Sequence, residues 1–405
     1  MGLSRAKETP AKSLRVIGYT SGAWPCGIAD YHRKLAHSLQ SAAVECETVP
    51  LPTDTVYRDH PAALWRRRGL YQGLAARSVG YDASLLDLVT QWNGGRAGEN
   101  TLPTFINRLR GPVFMIVHEW PRPLEAESEG RSMPSRVLSG VAAAAVRVAD
   151  RGGLTHEDWL HRRLFTRASH LLVHAGTLRE RMLSVGIPPD RVSFLTFPTP
   201  DLASGGAQHP TIEMVARRFA HRRKIVIFGF PHPRKALDLA VRALPHLPED
   251  VMLLSVGATT GEFRQTYVRS IQDLASQLGV RDRIEFTGEI PEDALRSAFA
   301  LAEFALAPFA YATGSASFSY LMAAAVPIVA TDLPEHKALA AEGAGIELFK
   351  GGDVAALARA VNALLGDVGR QRALSMQNRT FAERHTFTRL AANIRERLDD
   401  MTRAS

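Results

Sequence analysis

Residues able to do chemistry gather at three places, each where an apolar run gives way to a helical pattern. The richest is YATGSASFSYLMAAAVPIVATD, from Tyr311 to Asp332. Gly314, Ser315, Ala316 and Ser317 carry little side-chain bulk, so a ligand can approach the backbone. The helix that follows offers unpaired N–H groups and the positive end of its dipole, which favour an anion. Ser315 or Ser317 can cap the same turn. A phosphate suits such a loop, although the same small residues also let a helix pack closely on a sheet. The second place is FGFPHPRKALDL, from Phe228 to Leu239, where Gly229 follows a strand pattern and Lys235 stands at a helix start. Beside a phosphate loop a lysine clamps a diphosphate; elsewhere it is a solvated surface cation. The third is TSGAWPCGIADY, where Gly22 and Gly27 precede a helix beginning near Ile28.

His118 ends the apolar run PVFMIVHEW, beside Glu119. An imidazole there either meets a ligand at the strand's carboxyl end or caps the strand by hydrogen bonds. His156, His161, His170 and His174 show no convergent ligand spacing, and Cys26 and Cys46 show neither metal spacing nor a disulfide framework. No metal and no bound cofactor is therefore expected. GxSxG, Walker A, HExxH and CxxC arrangements are all missing.

The elements that must position these residues alternate. LRVIGYT, YDASLLDLVTQW, PVFMIVHEW, SHLLVHA and RVSFLTF read as strands, separated by helical patterns that include IADYHRKLAHSLQ, an Ala/Val-rich helix over 132–149 and HEDWLHRRLFTRA. After the polar stretch DLASGGAQHPT, taken as a linker, KIVIFGF, VMLLSVG, RIEFTG, EFALAPF and PIVATD repeat the order with further helices. Strands alternating with helices predict α/β architecture with two doubly wound parallel sheets, whose ligands lie outside the strands' carboxyl ends. The expected division is a disordered leader over 1–13, a first domain over 14–203, a second over 212–385, and a C-terminal helix over 386–405 that packs back on the first. The segment FAERHTFTRLAANIRERLDDM supplies that amphipathic helix, whole or as a broken pair.

At 405 residues, 45% hydrophobic and 22% charged, the chain suits two soluble globular domains. Its apolar runs are strand-sized, too short to cross a bilayer, and the polar start lacks an apolar signal core. A cytoplasmic protein is expected. The net charge of +8 calls for anionic partners: a nucleotide diphosphate or an anionic membrane face, with peripheral contact at the inner side of the cell membrane. No nucleic-acid module accompanies the basic runs.

On these residues the chain resembles the family 4 (group 1) glycosyltransferases, two Rossmann-like domains in the GT-B arrangement facing a cleft. Gly22 and Gly27 match the family's early glycine loop, FGFPHPRK its strand, loop and lysine, MAAAVPIVATDLPE its Val-Pro segment, and IEFTGEIPEDAL the segment that meets the donor's base. The resemblance implies a retaining, metal-independent transfer of a sugar from a nucleotide diphosphate sugar to a hydroxyl acceptor: a glycan, glycolipid or lipid-linked saccharide in polysaccharide biosynthesis. It implies His118 and Lys235 as catalytic residues. Gly27, Gly229, Lys235, Gly314, Ser315, Ala316 and Ser317 would hold the diphosphate, and Gly288, Glu289, Ile290 and Tyr320 the base and ribose. Trp92, Arg96 and Trp120, in the loops Trp92–Thr101 and His118–Pro134, are the acceptor candidates. The sequence departs from the family where its paired glutamates fall on Ala312 and Tyr320, and its arginine on Phe230, as in a subset with a Ser/Gly-rich loop followed by Ser-Tyr. A glycosyltransferase-like binding or partner protein without catalysis is the alternative reading.

Overall fold

The computed structural model describes residues 13–22, 27–51, 61–88, 102–120, 156–202, 206–311 and 316–403. The chain divides into two compact units, one of Met1–Leu195 with Phe387–Ser405, the other of Thr196–Thr386. The division after Leu195 precedes the stretch 201–211 read as a linker, and a helix begins inside that stretch at Pro210.

In the first unit β1 (Leu14–Ser21), α1 (Gly27–Ser41), β2 (Val44–Leu51), α2 (Pro61–Ala76) and β3 (Ala83–Leu88) come first. Then follow α3 (Leu102–Ile106), β4 (Val113–Val117), α4 (His156–Phe165), β5 (His170–Val173), α5 (Gly176–Ser184) and β6 (Val192–Phe194). The six strands form one sheet in the order β2-β1-β3-β4-β5-β6, and the paired strands run parallel.

The second unit runs α6 (Pro210–Arg218), β7 (Arg223–Phe228), α7 (Leu237–Ala243), β8 (Val251–Val256), α8 (Glu262–Gln277), β9 (Ile284–Gly288) and α9 (Leu295–Ala300). It continues with β10 (Phe304–Ala307), α10 (Ala316–Ala323), β11 (Ile328–Thr331), α11 (Pro334–Ala341), β12 (Ile346–Phe349), α12 (Val354–Leu365) and α13 (Val368–Arg384). Its sheet order is β12-β11-β10-β7-β8-β9, also with parallel pairs. Both units are Rossmann-like. The strand order reverses direction between β7 and β10, and such a switch point opens a crevice at the carboxyl ends.

The apolar runs are nearly continuous because both sheet faces are covered. In the second unit Ile225, Ile227, Leu253, Leu306 and Val329 face one core, while Val226, Met252, Leu254, Ala305 and Ile328 face the other. Helix starts follow local chemistry: the Asp353 side chain accepts from Ala356 N at 2.9 Å, and Asp367 accepts from Arg370 N at 2.8 Å.

The closing helical segment is a broken pair. Helix α13 belongs to the second unit, and α14 (Phe387–Arg403) belongs to the first. Helix α14 buries Phe387, Leu390, Ala391, Ile394 and Leu398, a stripe at helical spacing. The Arg395 guanidinium donates to the carbonyls of Ala42 and Ala43, at 3.1 and 2.8 Å, and so ties α14 to the end of α1. The helix expected over 132–149 lies outside the described residues.

Candidate functional site

Lys235 stands at the switch point of the second unit. Past the end of β7 the chain passes Gly229 and makes a short turn from Pro233 to Lys235, which carries the lysine back under the strand end. His232 starts that turn by accepting from Arg234 N at 3.1 Å, and Ala236 leaves it in a left-handed conformation, φ +46°. Lys235 is buried, at 3% exposure. Its Nζ donates to the Phe228 carbonyl at 2.9 Å, lies 2.6 Å from Ser317 Oγ, and sits 4.4 Å from the centre of the Phe309 ring. The loop after β7 is thereby joined to the first turn of α10, which follows β10.

Gly229 has φ +108°, and a Cβ there would come within 2.7 Å of Lys235 Nζ and 2.8 Å of Ser317 Oγ. Only glycine leaves room for this arrangement. Behind it, Thr331 Oγ1 donates to the Phe309 carbonyl at 2.8 Å, and His336 Nδ1 lies 2.7 Å from the Thr331 carbonyl while its ring stacks on Phe318. Burial, seconded by the Arg234 charge, holds the Lys235 ammonium well below the ordinary lysine range. Among the described residues no carboxylate pairs with it, so an anion arriving here would supply the missing counter-charge.

The remaining second-unit candidates are less uniform. Ala316 and Ser317 open α10, whereas Gly314, Ser315 and Ala312 lie outside the described residues. Gly288 ends β9 with φ +75° and pairs with Gly257, whose N–H donates to its carbonyl at 3.2 Å. Glu289 is exposed. The Ile290 side chain packs in the core with Ala294 and Leu295, which leaves its backbone for any ligand contact. Tyr320 donates to Glu292 Oε2 at 3.1 Å, and its ring lies 5.6 Å from that of Phe228. Phe230 stands where the resemblance places an arginine, yet a cation is at hand: the Arg264 guanidinium, from the first turn of α8, lies 4.2 Å over the Phe230 ring.

A second polar cluster occupies the carboxyl ends of β3, β4 and β5 in the first unit. His118, directly after β4, has Nε2 2.5 Å from Asp87 Oδ1. Asp87 lies in β3 with no exposure, and His32 of α1, also fully buried, brings Nδ1 to 3.3 Å from Asp87 Oδ2. Tyr31 meets the His118 ring edge-on at 4.9 Å and places its hydroxyl 2.7 Å from His174 Nε2. His174 Nδ1 lies 2.7 Å from the Leu195 carbonyl. Burial opposes a charge on His32, but the Asp87 carboxylate and the Cys46 thiol outweigh it and push its pKa up to about 9. Asp87, although burial alone would raise it, is held below the usual carboxylate range by His118 and His32.

Sequence reasoning named His118 in this cluster and missed Asp87, His32 and Tyr31. The available signal was a carboxylate in the middle of the apolar run LLDLV. Gly27 opens α1 with no described residue within 4 Å of where a Cβ would stand. Trp120 is half-buried, edge-on to His161 at 5.1 Å, with the Arg181 guanidinium 5.5 Å from its ring. Trp92 and Arg96 lie outside the described residues.

Residues 222–367, which span this lysine and the switch point, match the family described as Glycosyl transferases group 1. Over that span, within the second unit, the chain is similar to the group 1 glycosyltransferases. It is 30% identical over 158 residues to a D-inositol 3-phosphate glycosyltransferase of Xylanimonas cellulosilytica, which covers 39% of this chain and 37% of that protein. It is 32% identical over 157 residues to a GDP-mannose-dependent alpha-(1-6)-phosphatidylinositol monomannoside mannosyltransferase of Mycolicibacterium smegmatis, covering 37% and 40% respectively. The chain thus spans under half the length of these relatives. Likeness of fold extends further. Anabaena HepE in complex with UDP and glucose superposes with a TM-score of 0.67 at 14% identity, covering 95% of this chain and 99% of that one. Sucrose-phosphate synthase from Thermosynechococcus elongatus gives 0.68 at 15% identity, covering 97% and 100%. The two Rossmann-like domains are those of the GT-B fold.

Proposed function

We propose that this protein is a retaining glycosyltransferase that moves a sugar from a nucleotide diphosphate sugar to a hydroxyl acceptor. The observation that carries the reading is Lys235, buried at the β7/β10 switch point against Ser317 with only neutral partners among the described residues. Charge developing on a departing diphosphate is the main electrostatic demand of such a transfer, and a fixed ammonium beside a helix N-terminus meets it without a metal. Gly229 gives the phosphate access to the backbone, and Gly314, Ser315, Ala316 and Ser317 supply N–H groups and hydroxyls. Gly288, Glu289, the Ile290 backbone and Tyr320 line the base and ribose, while Gly27 and His118 serve from the first unit, His118 at the transferred sugar. The relatives' names add support for a nucleotide-sugar donor, GDP-mannose in one of them, and for an acceptor that carries an inositol phosphate, as a lipid in one of them.

With the leaving phosphate on the same face as the incoming hydroxyl, that phosphate receives the acceptor's proton, and the anomeric configuration is kept. The acceptor is a glycan, glycolipid or lipid-linked saccharide met through Trp92, Arg96 and Trp120. The net charge of +8 favours a peripheral, cytoplasmic-side encounter with an anionic membrane. Among the described residues no helix is long and apolar enough to cross one.

The test is to incubate the chain with UDP-glucose and GDP-mannose, each labelled in the sugar, with chelator present and with anionic vesicles carrying phosphatidylinositol. Labelled α-linked product or slow release of the α-sugar supports the reading. Binding with neither outcome, or release of the β-sugar, overturns it.

A further inference from the structure

The cluster around Asp87 holds more polar groups than one strand-capping histidine needs. Asp87, His32, Thr20 and Ser21 are all buried, yet both ring nitrogens of His32, Asp87 Oδ2, Thr20 Oγ1 and Ser21 Oγ lack well-aligned hydrogen-bond partners among the described residues. Thr20 lies directly beside Asp87 in the β1/β3 register, so these groups share one carboxyl edge. Natural cores rarely leave such groups clustered without a task.

We infer that Asp87, flanked by His32, is a positioning residue that holds His118 in the tautomer with its proton on Nε2, leaving Nδ1 as a hydrogen-bond acceptor for a substrate hydroxyl. The geometry is specific. The carboxylate oxygen is 2.5 Å from His118 Nε2, a distance expected of an N–H donor to an anion. No described residue bonds His118 Nδ1, and the ring is kept from rotating by the edge of Tyr31 at 4.9 Å. A ring's second nitrogen takes its role from the bond the first one makes. His32, at 3.3 Å from the other oxygen, keeps the fully buried carboxylate ionised, and an ionised carboxylate can only accept. Tyr31 cannot compete for Asp87, since its hydroxyl lies 2.7 Å from His174. The substrate part of this inference rests on His118 meeting the transferred sugar; the tautomer part does not.

Long-range nitrogen–proton correlation spectra of the whole chain labelled in histidine test it directly. In the unaltered protein His118, assigned by its loss in His118→Gln, should show the neutral Nε2–H pattern. In Asp87→Asn the amide donates to Nε2 and the proton moves to Nδ1, with the signals of His161 and His170 in the same unit unmoved. Donor turnover should then fall by about 100-fold, on the scale of a misplaced general acid–base or hydrogen-bonding group, with KM for the donor little changed. His32→Gln, whose amide N–H can still donate to Asp87 Oδ2 and so keep the carboxylate an acceptor, should keep the Nε2–H pattern and serves as the second variant. An Nδ1–H pattern in the unaltered protein, an unchanged His118 signal in Asp87→Asn, or loss of the Nε2–H pattern in His32→Gln would overturn the inference. If the proton shifts as expected while His118→Gln keeps full turnover, the sugar role of His118 fails and the positioning by Asp87 stands.

Discussion

At Gly229 a backbone requirement and a site requirement coincide. Its φ of +108° disfavours any L side chain, and a methyl group would press on Lys235 Nζ and Ser317 Oγ. Gly229→Ala should therefore cost about 2 kcal/mol in stability, read by denaturant unfolding, and weaken UDP or GDP binding at least about tenfold. A variant that binds as well as the parent would show that the lysine can stand elsewhere. Gly229, Lys235 and Ser317 were legible in the sequence because each lies within a few residues of a strand end and a helix start. The Asp87–His118–His32 cluster was not, because it joins groups far apart in the chain and its central carboxylate sits inside a strand whose neighbours are all apolar. Gly314, Ser315, Trp92 and Arg96 remain sequence readings.

Among the elements, the two strands that sequence patterning passed over, β2 and β12, are edge strands of their sheets. Each touches one neighbour, so each carries fewer apolar residues: VECETVPL leaves Glu45, Glu47, Thr48 and Pro50 exposed, and IELF is half-buried at its centre. The central strands, covered on both faces, were plain in the sequence. Helix α13 packs on the β12 side, and one of its residues ties the backbone there. Buried Asn378 accepts from Gly345 N at 2.7 Å and donates to the carbonyls of Val326 and Gly345, at 2.6 and 3.1 Å. Asn378→Ala leaves Gly345 N and the Val326 carbonyl unpaired, while the Gly345 carbonyl keeps its bond from Ile328 N, and the second unit should lose about 3 kcal/mol in a urea titration followed by amide exchange of β11 and β12. Loss of protection confined to the first unit would contradict the assignment.

Across the whole molecule, buried titratable groups couple protons to folding. In the first unit burial holds His161 and His170 down to about 4 and His174 to about 3, so each is neutral when folded. As pH falls below the ordinary value of 6.5 the unfolded chain takes up protons that the folded unit refuses, and stability declines towards pH 4. Asp87, held low, adds to this loss at the acid end. His32 acts in the opposite sense: its folded value of about 9 gives stability that is full below 6.5 and is lost as pH rises to about 9. Amide exchange of the first-unit strands should therefore be slowest, corrected for intrinsic rate, near pH 6.5. His161→Phe, placed among Trp120 and Phe165, should flatten the acid limb, and His32→Gln the alkaline one. A stability that climbs steadily from pH 6.5 to 9 would contradict the charge assigned to His32.

The central claim is that the buried lysine at the β7/β10 switch point receives a nucleotide's diphosphate. Calorimetric titration of UDP and of GDP into the whole chain and into Lys235→Ala tests it most directly. The account predicts saturable binding of one nucleotide by the parent and at least about a tenfold loss in the variant, since a charge-assisted contact at a buried site is removed. Equal affinity of parent and variant for the same nucleotide would contradict it.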